Sequence, residues 1–369
     1  MRPRLEQITL QGFKTIRELV GFVPGNLTVL IGPNGAGKSN FISFFRMLSW
    51  SLVEPGQLQL YIGQQGGAST ILHREPGVTQ KIGAELVLAT DAGEEAYGFR
   101  LDHAAGDTLI YADEWYRFQR LGQNRHHAGF GAGHRESRLL EWAGHGLQPA
   151  DFILGMLRRI IVHQFHNTSS TARIRDKWDS VDGRYLKEDG GNLGAFLANL
   201  QIVHPAHYLR IVQTIRLILP FFADFELHID FGKVLLQWRE IGSDHVLNAA
   251  QASDGMLRAM ALIALLQQPD ENLPDVLILD EPELGLHPYA IEVLAGLIRA
   301  ASQHVQVIVA TQSVSLIDRF EPSDIVVVDR HKGETTLRRL NEADLSGWLD
   351  EYTLSELWEK NILGGRPSP

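Results

Sequence analysis

The order of apolar and polar positions in the first third of the chain predicts short strands around one helix. Residues 5–10 and 15–20 predict two antiparallel strands, the first alternating as an edge strand does. Leu27–Ile31 is an apolar run typical of a buried strand, and residues 41–48 follow as a helix that is apolar on most faces. Residues 58–120 then predict a β-rich antiparallel meander interrupted by turn residues.

The rest of the chain passes from irregular segments to an α/β pattern. A helical period over residues 193–222 breaks at His204 and Pro205, which predicts two helices. Residues 225–231 and 234–241 predict a hairpin around Gly232. The other expected elements are a short helix at 151–159, a strand at 160–165, apolar helices at 254–267 and 288–301, and buried strands at 276–281, 305–310 and 325–329.

Residues 121–146 are rich in Gly and His and have no period. Their four histidines could indicate a metal site, but no carboxylate or Cys accompanies them at a ligand spacing. We therefore expect a mobile surface loop. The four are His126, His127, His134 and His145. The tail from Gly364 onward is expected to be disordered.

Composition and charge exclude several classes of protein. With 369 residues, 44% of them hydrophobic and 21% charged, the chain has the composition of a soluble globular protein with a large core. No apolar run reaches the about 18 residues of a membrane helix, and no signal-peptide core is present, so we expect a cytoplasmic protein with no membrane partner. The lack of Cys excludes disulfides and thiolate metal sites. A net charge of −10 excludes a globally basic nucleic-acid binder but allows a local basic groove.

The connection between the strand Leu27–Ile31 and the following helix carries the pattern Gly32-x-x-x-x-Gly37-Lys38-Ser39. Glycines let backbone N–H groups approach phosphates, and the helix N-terminus adds partial positive charge. In this pattern the lysine bridges the β- and γ-phosphates and the serine hydroxyl binds Mg²⁺. A glycine-rich turn before a helix is the alternative. Because strand, loop and helix follow in the required order, we expect ATP with Mg²⁺ here, held by Asn34, Gly35, Ala36, Gly37, Lys38, Ser39 and Asn40.

A second apolar strand, at residues 276–281, ends in two acids, Asp280 and Glu281. At the carboxyl end of an α/β sheet, such acids would complete a phosphate site. Asp280 would then hold Mg²⁺ directly or through water, and Glu281 would orient and deprotonate the attacking water. An Asp that only caps a turn is the alternative.

Four segments resemble the ATP-binding-cassette (ABC)-type ATPases of the RecF/SMC branch. Residues 278–288, Ile-Leu-Asp-Glu-Pro-Glu-Leu-Gly-Leu-His-Pro, resemble their Walker B and D-loop run. Residues 252–258, Ala-Ser-Asp-Gly-Met-Leu-Arg, resemble their signature motif. Residues 10–16 are similar to the opening of these proteins, and residues 310–315 fall at their switch loop. The match is closest to compact AAA-family predicted ATPases without a long coiled coil, similar to ATPase components of OLD-like and anti-phage defence systems.

The resemblance implies a fold and a division of the chain. The fold would be the ABC-type P-loop ATPase head, an α/β class with a mixed sheet flanked by helices plus an antiparallel β subdomain. A helical and β insertion would separate the phosphate loop from the signature motif. An N-terminal ATPase lobe would cover residues 1–120, an inserted arm residues 121–245, and a C-terminal ATPase lobe residues 246–369.

The resemblance also implies roles for further residues. Ser253 and Gly255 would contact the γ-phosphate bound to a second protomer, giving a homodimer across two ATP molecules, although Ser253 taken alone is typical of a helix N-cap. Gln164 is the candidate ligand of Mg²⁺ and water, and His166 is close enough to take that place instead. Gln312 stands where these ATPases often have His. It can hydrogen-bond a γ-phosphate but cannot shuttle a proton, so this difference concerns the rate of hydrolysis and not the binding of ATP.

Three functions remain open from the sequence. The first is an ATPase dimer that drives a DNA-related process, in repair or anti-phage defence, through a separate partner or effector protein. The second is a transporter ATPase subunit, against which the long insertion argues. The third is a nucleotide-gated scaffold with little hydrolysis, suggested by Gln312. A local basic run is either a DNA contact or a solvated polar face, and it comprises Arg158, Arg159, Arg173, Arg175 and Lys177.

Overall fold

The computed structural model describes residues 2–74, 76–91, 93–120, 122, 124–143, 148–341, 345, 347–348 and 351–364. The strands are β1 (Arg4–Phe13), β2 (Ile16–Phe22), β3 (Leu27–Ile31), β4 (Lys81–Thr90), β5 (Gly93–Ala104), β6 (Thr108–Arg120), β7 (His126–Gly129), β8 (Ile160–His163), β9 (Trp178–Asp179), β10 (Phe222–Phe225), β11 (Ile229–Asp230), β12 (Lys233–Val234), β13 (Gln237–Glu240), β14 (Val246–Asn248), β15 (Val276–Asp280), β16 (Gln306–Thr311), β17 (Ile325–His331) and β18 (Glu334–Arg339). The helices are α1 (Lys38–Ser51), α2 (Gln57–Gln64), α3 (Leu139–Ala143), α4 (Gln148–Leu157), α5 (Leu193–Val203), α6 (Pro205–Ile218), α7 (Asp254–Leu266), α8 (Pro288–Ala301), α9 (Val314–Ile317) and α10 (Leu354–Glu359).

A mixed sheet lies at the centre, in the order β18-β17-β3-β16-β15-β8. Five of these strands run parallel, and β18 is the antiparallel edge strand. Strands β3, β15 and β16 are buried along their whole length. A parallel strand that is covered on both faces has no polar side to display, which explains their continuous apolar runs.

Helices cover both faces of the central sheet. Val29 on β3 packs into a core with α5, α6, α7 and α8, whereas its neighbour Leu30 packs into a second core with α1 and the antiparallel sheet. This alternation follows from the period of two in a strand. The predicted break at His204 is confirmed, because α5 ends at Val203 and α6 begins with Pro205.

The antiparallel sheet has the order β2-β1-β4-β5-β6-β7 and contains the predicted meander. The prediction that the first strand is an edge strand is wrong, because β1 pairs with β2 on one side and β4 on the other. The meander also begins later than predicted, since α2 occupies residues 57–64. Strand β7 lies in the segment predicted as a loop and pairs with β6.

The predicted hairpin at residues 225–241 is only partly right. β11 and β12 pair around Gly232, but β13 leaves them and pairs with β10 and β14 in another sheet. The reason is Trp238, which β13 buries in the main core. His145 and residues 365–369, for which we predicted a loop and a disordered tail, lie outside the described residues. The division into three regions remains a prediction.

In the parts of the chain described above, no helix combines the length and the apolar character that crossing a bilayer requires.

Candidate nucleotide site

Four neighbouring parallel strands bring the predicted site residues to one edge of the central sheet. The phosphate loop (residues 32–39) follows β3, Gln312 follows β16, Asp280 ends β15, and Gln164 follows β8. Since these strands are adjacent and parallel, their carboxyl ends meet. This is the edge at which open α/β sheets bind ligands.

The phosphate loop folds around the amino group of Lys38. Helix α1 begins at Lys38, after Gly37 with a φ of 115°, a left-handed conformation that favours glycine. Lys38 is buried, and its Nζ donates to the carbonyl oxygens of Gly32 at 2.5 Å and Pro33 at 3.2 Å. A Cβ added at Gly35 would meet no atom within 4 Å. The outer side of the loop therefore has room for phosphate groups.

Side chains from distant segments fasten the back of this loop. Asn40 Nδ2 donates to Thr15 Oγ1 at 2.7 Å, and Thr335 Oγ1 lies 2.7 Å from Thr15 Oγ1 and 2.8 Å from the Ala36 carbonyl oxygen. Because a carbonyl only accepts, Thr335 donates its one hydroxyl proton to Ala36, and Thr15 donates to Thr335. The Asn40 side chain, which we predicted to bind ATP, is thus engaged within the protein. Thr15 and Thr335 were not predicted from the sequence.

Asp280 is buried and is held by two side chains. Its Oδ2 accepts a hydrogen bond from Gln164 Nε2 at 3.0 Å and lies 3.6 Å from Arg46 Nη2. Burial raises the pKa of Asp280, and the charge of Arg46 opposes this increase. Arg46 was not predicted. Its only sequence signal is its position on α1, two turns after Lys38.

Gln164 and His166 belong to one hydrogen-bond network. Gln164 Nε2 contacts His166 Nδ1 at 2.7 Å, and His166 Nε2 lies 3.0 Å from the Asp280 carbonyl oxygen and 4.0 Å from Glu281 Oε2. Since the carbonyl only accepts, His166 carries its proton on Nε2 and accepts from Gln164 on Nδ1. Both candidates therefore lie beside the acids. Gln164 Oε1 accepts from Arg46, so that oxygen must change partner before it can bind a metal.

Glu281 and Gln312 are in direct contact. Gln312 Nε2 donates to Glu281 Oε1 at 3.2 Å, and the Glu281 backbone N–H donates to the Ala310 carbonyl at 2.8 Å. Glu281 has a φ of 44°, which is uncommon for a residue with a side chain. Such conformations cluster at functional sites, where surrounding contacts hold them.

The charges of the site and its side-chain oxygens suit ATP with Mg²⁺. Burial lowers the pKa of Lys38, and the nearby carboxylates of Glu281, Asp280 and Glu283 act in the opposite direction. Ser39 is exposed at the start of α1. Among the described residues no cluster of three His, Asp or Glu forms a complete metal site. Mg²⁺ usually takes one or two protein oxygens together with phosphate oxygens, so Ser39 and Asp280 fit such a metal.

The signature segment (residues 252–258) exposes Ser253 and Asp254 and lies against the D-loop. Ser253 caps α7, with its Oγ accepting from the Met256 N–H at 3.3 Å. A Cβ added at Gly255 would lie 2.5 Å from the Gly285 carbonyl oxygen, so the two segments approach too closely for a side chain. In the described part of the chain, no hydrogen bond joins Ser253 or Gly255 to the phosphate loop.

The basic run that we considered for DNA binding is paired within the protein. Arg158 donates to the carbonyls of Leu52 and Val53, and the other four pair with Asp275 (Arg159), Asp189 (Arg173), Asp254 (Arg175) and Asp230 (Lys177). These pairs reduce the positive charge that the run offers to a phosphate backbone.

His134 corrects the prediction of a mobile surface loop. Its Nε2 donates to Glu114 Oε2 at 2.8 Å, and its ring stacks on Tyr111. Glu114 is fully buried and also accepts from Tyr97 and Ser137. A buried carboxylate needs several donors, and this need fixes the loop around His134.

A protein-family model matches residues 27–318 and carries the description "AAA domain, putative AbiEii toxin, Type IV TA system". No curated protein matches the chain. Solved structures with a similar fold include Smc heads. The SmcHead bound to the C-winged helix domain of ScpA aligns with a TM-score of 0.58 at 15% identity, over 90% of this chain and 97% of that chain.

A second Smc head supports the same fold. The Smc head domain with an extended coiled coil, bound to the C-terminal domain of ScpA from Pyrococcus furiosus, has a TM-score of 0.56 at 14% identity. The alignment covers 95% of this chain and 99% of that chain. The predicted fold class, an ABC-type P-loop ATPase head of the RecF/SMC kind without a long coiled coil, is thereby confirmed.

Proposed function

We propose, because the chain belongs to this AAA-domain family and has the fold of an ABC-type ATPase head, that it binds ATP with Mg²⁺ and hydrolyses it to ADP and phosphate. The observation that carries the proposal is the contact of Glu281 with Gln312 beside buried Asp280, at the sheet edge where the phosphate loop begins. A loop for phosphates, a metal ligand and a base at one edge are the parts that phosphoryl transfer needs.

Each residue has a task in this proposal. Lys38 and the backbone N–H groups of the phosphate loop bind the phosphates, and Ser39 and Asp280 hold the metal. Bound Mg²⁺ neutralises phosphate charge. Glu281 accepts the proton of the attacking water. Gln312 orients the Glu281 carboxylate through its side-chain amide, and it cannot take up the proton itself.

A second copy of the chain completes the site in this proposal. Ser253 is exposed and Gly255 is partly exposed at the N-terminus of α7, where partial positive charge favours an anion. Since no hydrogen bond in the described part of the chain joins them to their own phosphate loop, they are available to the γ-phosphate on another protomer. We therefore propose a homodimer that encloses two ATP molecules.

The output of this dimer would pass through a partner protein. The similar Smc heads are bound to ScpA domains, which shows that this fold can carry a partner. We propose a DNA-related process, repair or anti-phage defence, as the resemblance implies. Because the basic run at residues 158–177 is internally paired, we assign any DNA contact to another surface or to the partner.

One observation favours a second function. Gln312 occupies the switch position, so the chain lacks a proton-carrying side chain there. A nucleotide-gated scaffold, which dimerises on ATP and barely hydrolyses it, needs no proton-carrying residue at this position.

The test compares the wild type with Glu281→Gln in ATP turnover, with and without double-stranded DNA, and in molecular mass with ATP bound. We expect a loss of turnover of about 100-fold and a doubled mass with ATP. Glu292→Gln, an exposed acid paired with Arg319, is the matched control. Unchanged turnover in Glu281→Gln would refute its role as base, and an unchanged mass would refute the dimer. Mass doubling with negligible wild-type turnover would support the scaffold.

A further inference from the structure

Glu283 is a buried acid to which the proposed reaction assigns no task. Its exposed fraction is 7%, and it opens the D-loop (residues 283–287), two residues after Glu281. Its Oε1 accepts a hydrogen bond from Thr311 Oγ1 at 2.5 Å. Thr311 is fully buried, ends β16 and immediately precedes Gln312. This hydrogen bond ties the D-loop to the residue that precedes Gln312.

The Glu283 carboxylate only accepts, so Thr311 donates to it, and the Thr311 hydroxyl also accepts a second hydrogen bond. The backbone N–H of Ser313 donates this second bond to Thr311 Oγ1 at 2.9 Å. Gln312 lies between Thr311 and Ser313. The backbone on both sides of Gln312 is therefore fixed to one hydroxyl group, which is fixed in turn by the Glu283 carboxylate.

These contacts extend the pairing of β15 and β16 beyond the ends of the strands. The last ladder pair joins Asp280 and Ala310, and the Glu281 N–H then donates to the Ala310 carbonyl at 2.8 Å. The bond between Glu283 and Thr311 is the next tie outward. A buried carboxylate is costly unless it is hydrogen-bonded, which is why Glu283 needs the Thr311 hydroxyl. Removal of either side chain leaves the other without this hydrogen-bond partner.

We propose that Glu283 is a positioning residue that, through Thr311, sets Gln312 against Glu281 and so links the D-loop to the hydrolytic centre. The inference rests on the proposed function, since it concerns the rate of the same reaction. In the proposed dimer the D-loop lies beside the signature segment, because Gly285 packs against Gly255. Contact with a second protomer at the signature segment would thus reach Gln312 through Glu283.

The test removes or keeps the hydroxyl group of Thr311. We expect Thr311→Val to lower kcat about tenfold and change KM for ATP less than twofold, and we expect Thr311→Ser to restore kcat, because serine keeps the donor. Hydrogen exchange of residues 311–317 should be faster in Thr311→Val and in Glu283→Met, which lacks an acceptor for Thr311, than in the wild type. Equal kcat in Thr311→Val, Thr311→Ser and the wild type would overturn the inference.

A double-mutant cycle shows whether Glu283 acts through Gln312. Glu283→Met should lower kcat when introduced into the wild type but add less than a twofold loss to Gln312→Ala, because the two substitutions share one effect. Additive losses would overturn the proposed route. Glu292→Gln again controls for removal of an acid. If the wild type itself shows no turnover, the proposed function fails. If the wild type hydrolyses ATP and the variants are unaffected, only the role of Glu283 is refuted. Hydrogen-exchange rates decide the matter where turnover is too slow to measure.

Discussion

At the scale of single residues, the phosphate loop owes its shape to side chains that its own motif does not contain. Thr335 reaches it from β18 and Thr15 from the turn between β1 and β2. A Cβ added at Gly37 would lie 2.1 Å from Thr335 Oγ1, so the motif glycine is required by this contact as well as by its φ. The loop is thus held in position from behind while its outer side stays open at Gly35.

Thr335→Val tests this support. The substitution keeps the shape but leaves the buried Ala36 carbonyl without a donor, which costs about 1–3 kcal/mol. We expect a lower free energy of unfolding by that amount and a KM for ATP raised several-fold, measured by denaturant titration and steady-state kinetics. Thr335→Ser should retain both values. Thr336→Val, at the exposed neighbouring position of β18, is the matched control, and equal losses in both valine variants would contradict a specific contact.

At the scale of elements, local pattern predicted the parts that local forces decide. The buried strands β3 and β15, the break before Pro205 and the apolar helix α7 all followed from periodicity and backbone chemistry. The position of a strand within a sheet was not predicted in this way, because β1 is an interior strand of the antiparallel sheet only through its distant partner β4. The same limit explains the site: motifs predicted Lys38, Asp280 and Glu281, whereas Arg46 and Thr335 meet them only through strand order.

Strand β5 provides a prediction about pH. Burial raises the pKa of Glu95 to about 7, with Arg120 opposing the increase. The folded protein therefore keeps this proton where the unfolded chain, with a pKa of 4.5, has lost it. The free energy of unfolding consequently falls as pH rises from 4.5 to 7. Glu95→Gln should remove this fall, worth on the order of 1 kcal/mol after allowance for partial exposure.

Denaturant titrations of both proteins at pH 4.5 and pH 8 measure the effect. Glu6→Gln, an exposed acid on β1, is the control and should follow the wild type. If the difference in stability between Glu95→Gln and the wild type were the same at both pH values, the Glu95 carboxyl would not carry the shift.

At the scale of the whole molecule, one arginine joins the signature helix to both sides of the metal site. Arg258 on α7 donates to the carbonyl of Phe165 at 3.1 Å, of His166 at 2.8 Å and of Leu284 at 3.1 Å. A displacement of α7 by a second protomer would therefore move the segment after β8 and the D-loop together. In the proposed dimer, contact of the signature segment with the ATP of the partner would thus be connected to the chemistry at the chain's own site.

The proposed dimer makes a prediction that a single-chain site cannot satisfy. Lys38→Ala removes the phosphate-binding amino group from the phosphate loop, and Ser253→Arg blocks the signature segment. Each variant alone should therefore be inactive. A mixed dimer holds one intact site, built from the loop of one variant and the signature of the other. An equal mixture should therefore recover about one quarter of wild-type turnover, because half of the dimers are mixed and each has one site of two.

The control for this mixture combines two variants whose altered residues belong to the same site of one chain. Lys38 and Glu281 lie at the same sheet edge of one chain, so a mixture of Lys38→Ala and Glu281→Gln leaves no complete site in any dimer. That mixture should stay inactive. Recovery in both mixtures would mean that wild-type activity contaminates the samples, and recovery in neither, with dimers confirmed by mass, would mean that Ser253 serves its own chain. Only recovery with Ser253→Arg assigns the signature segment to the partner's ATP.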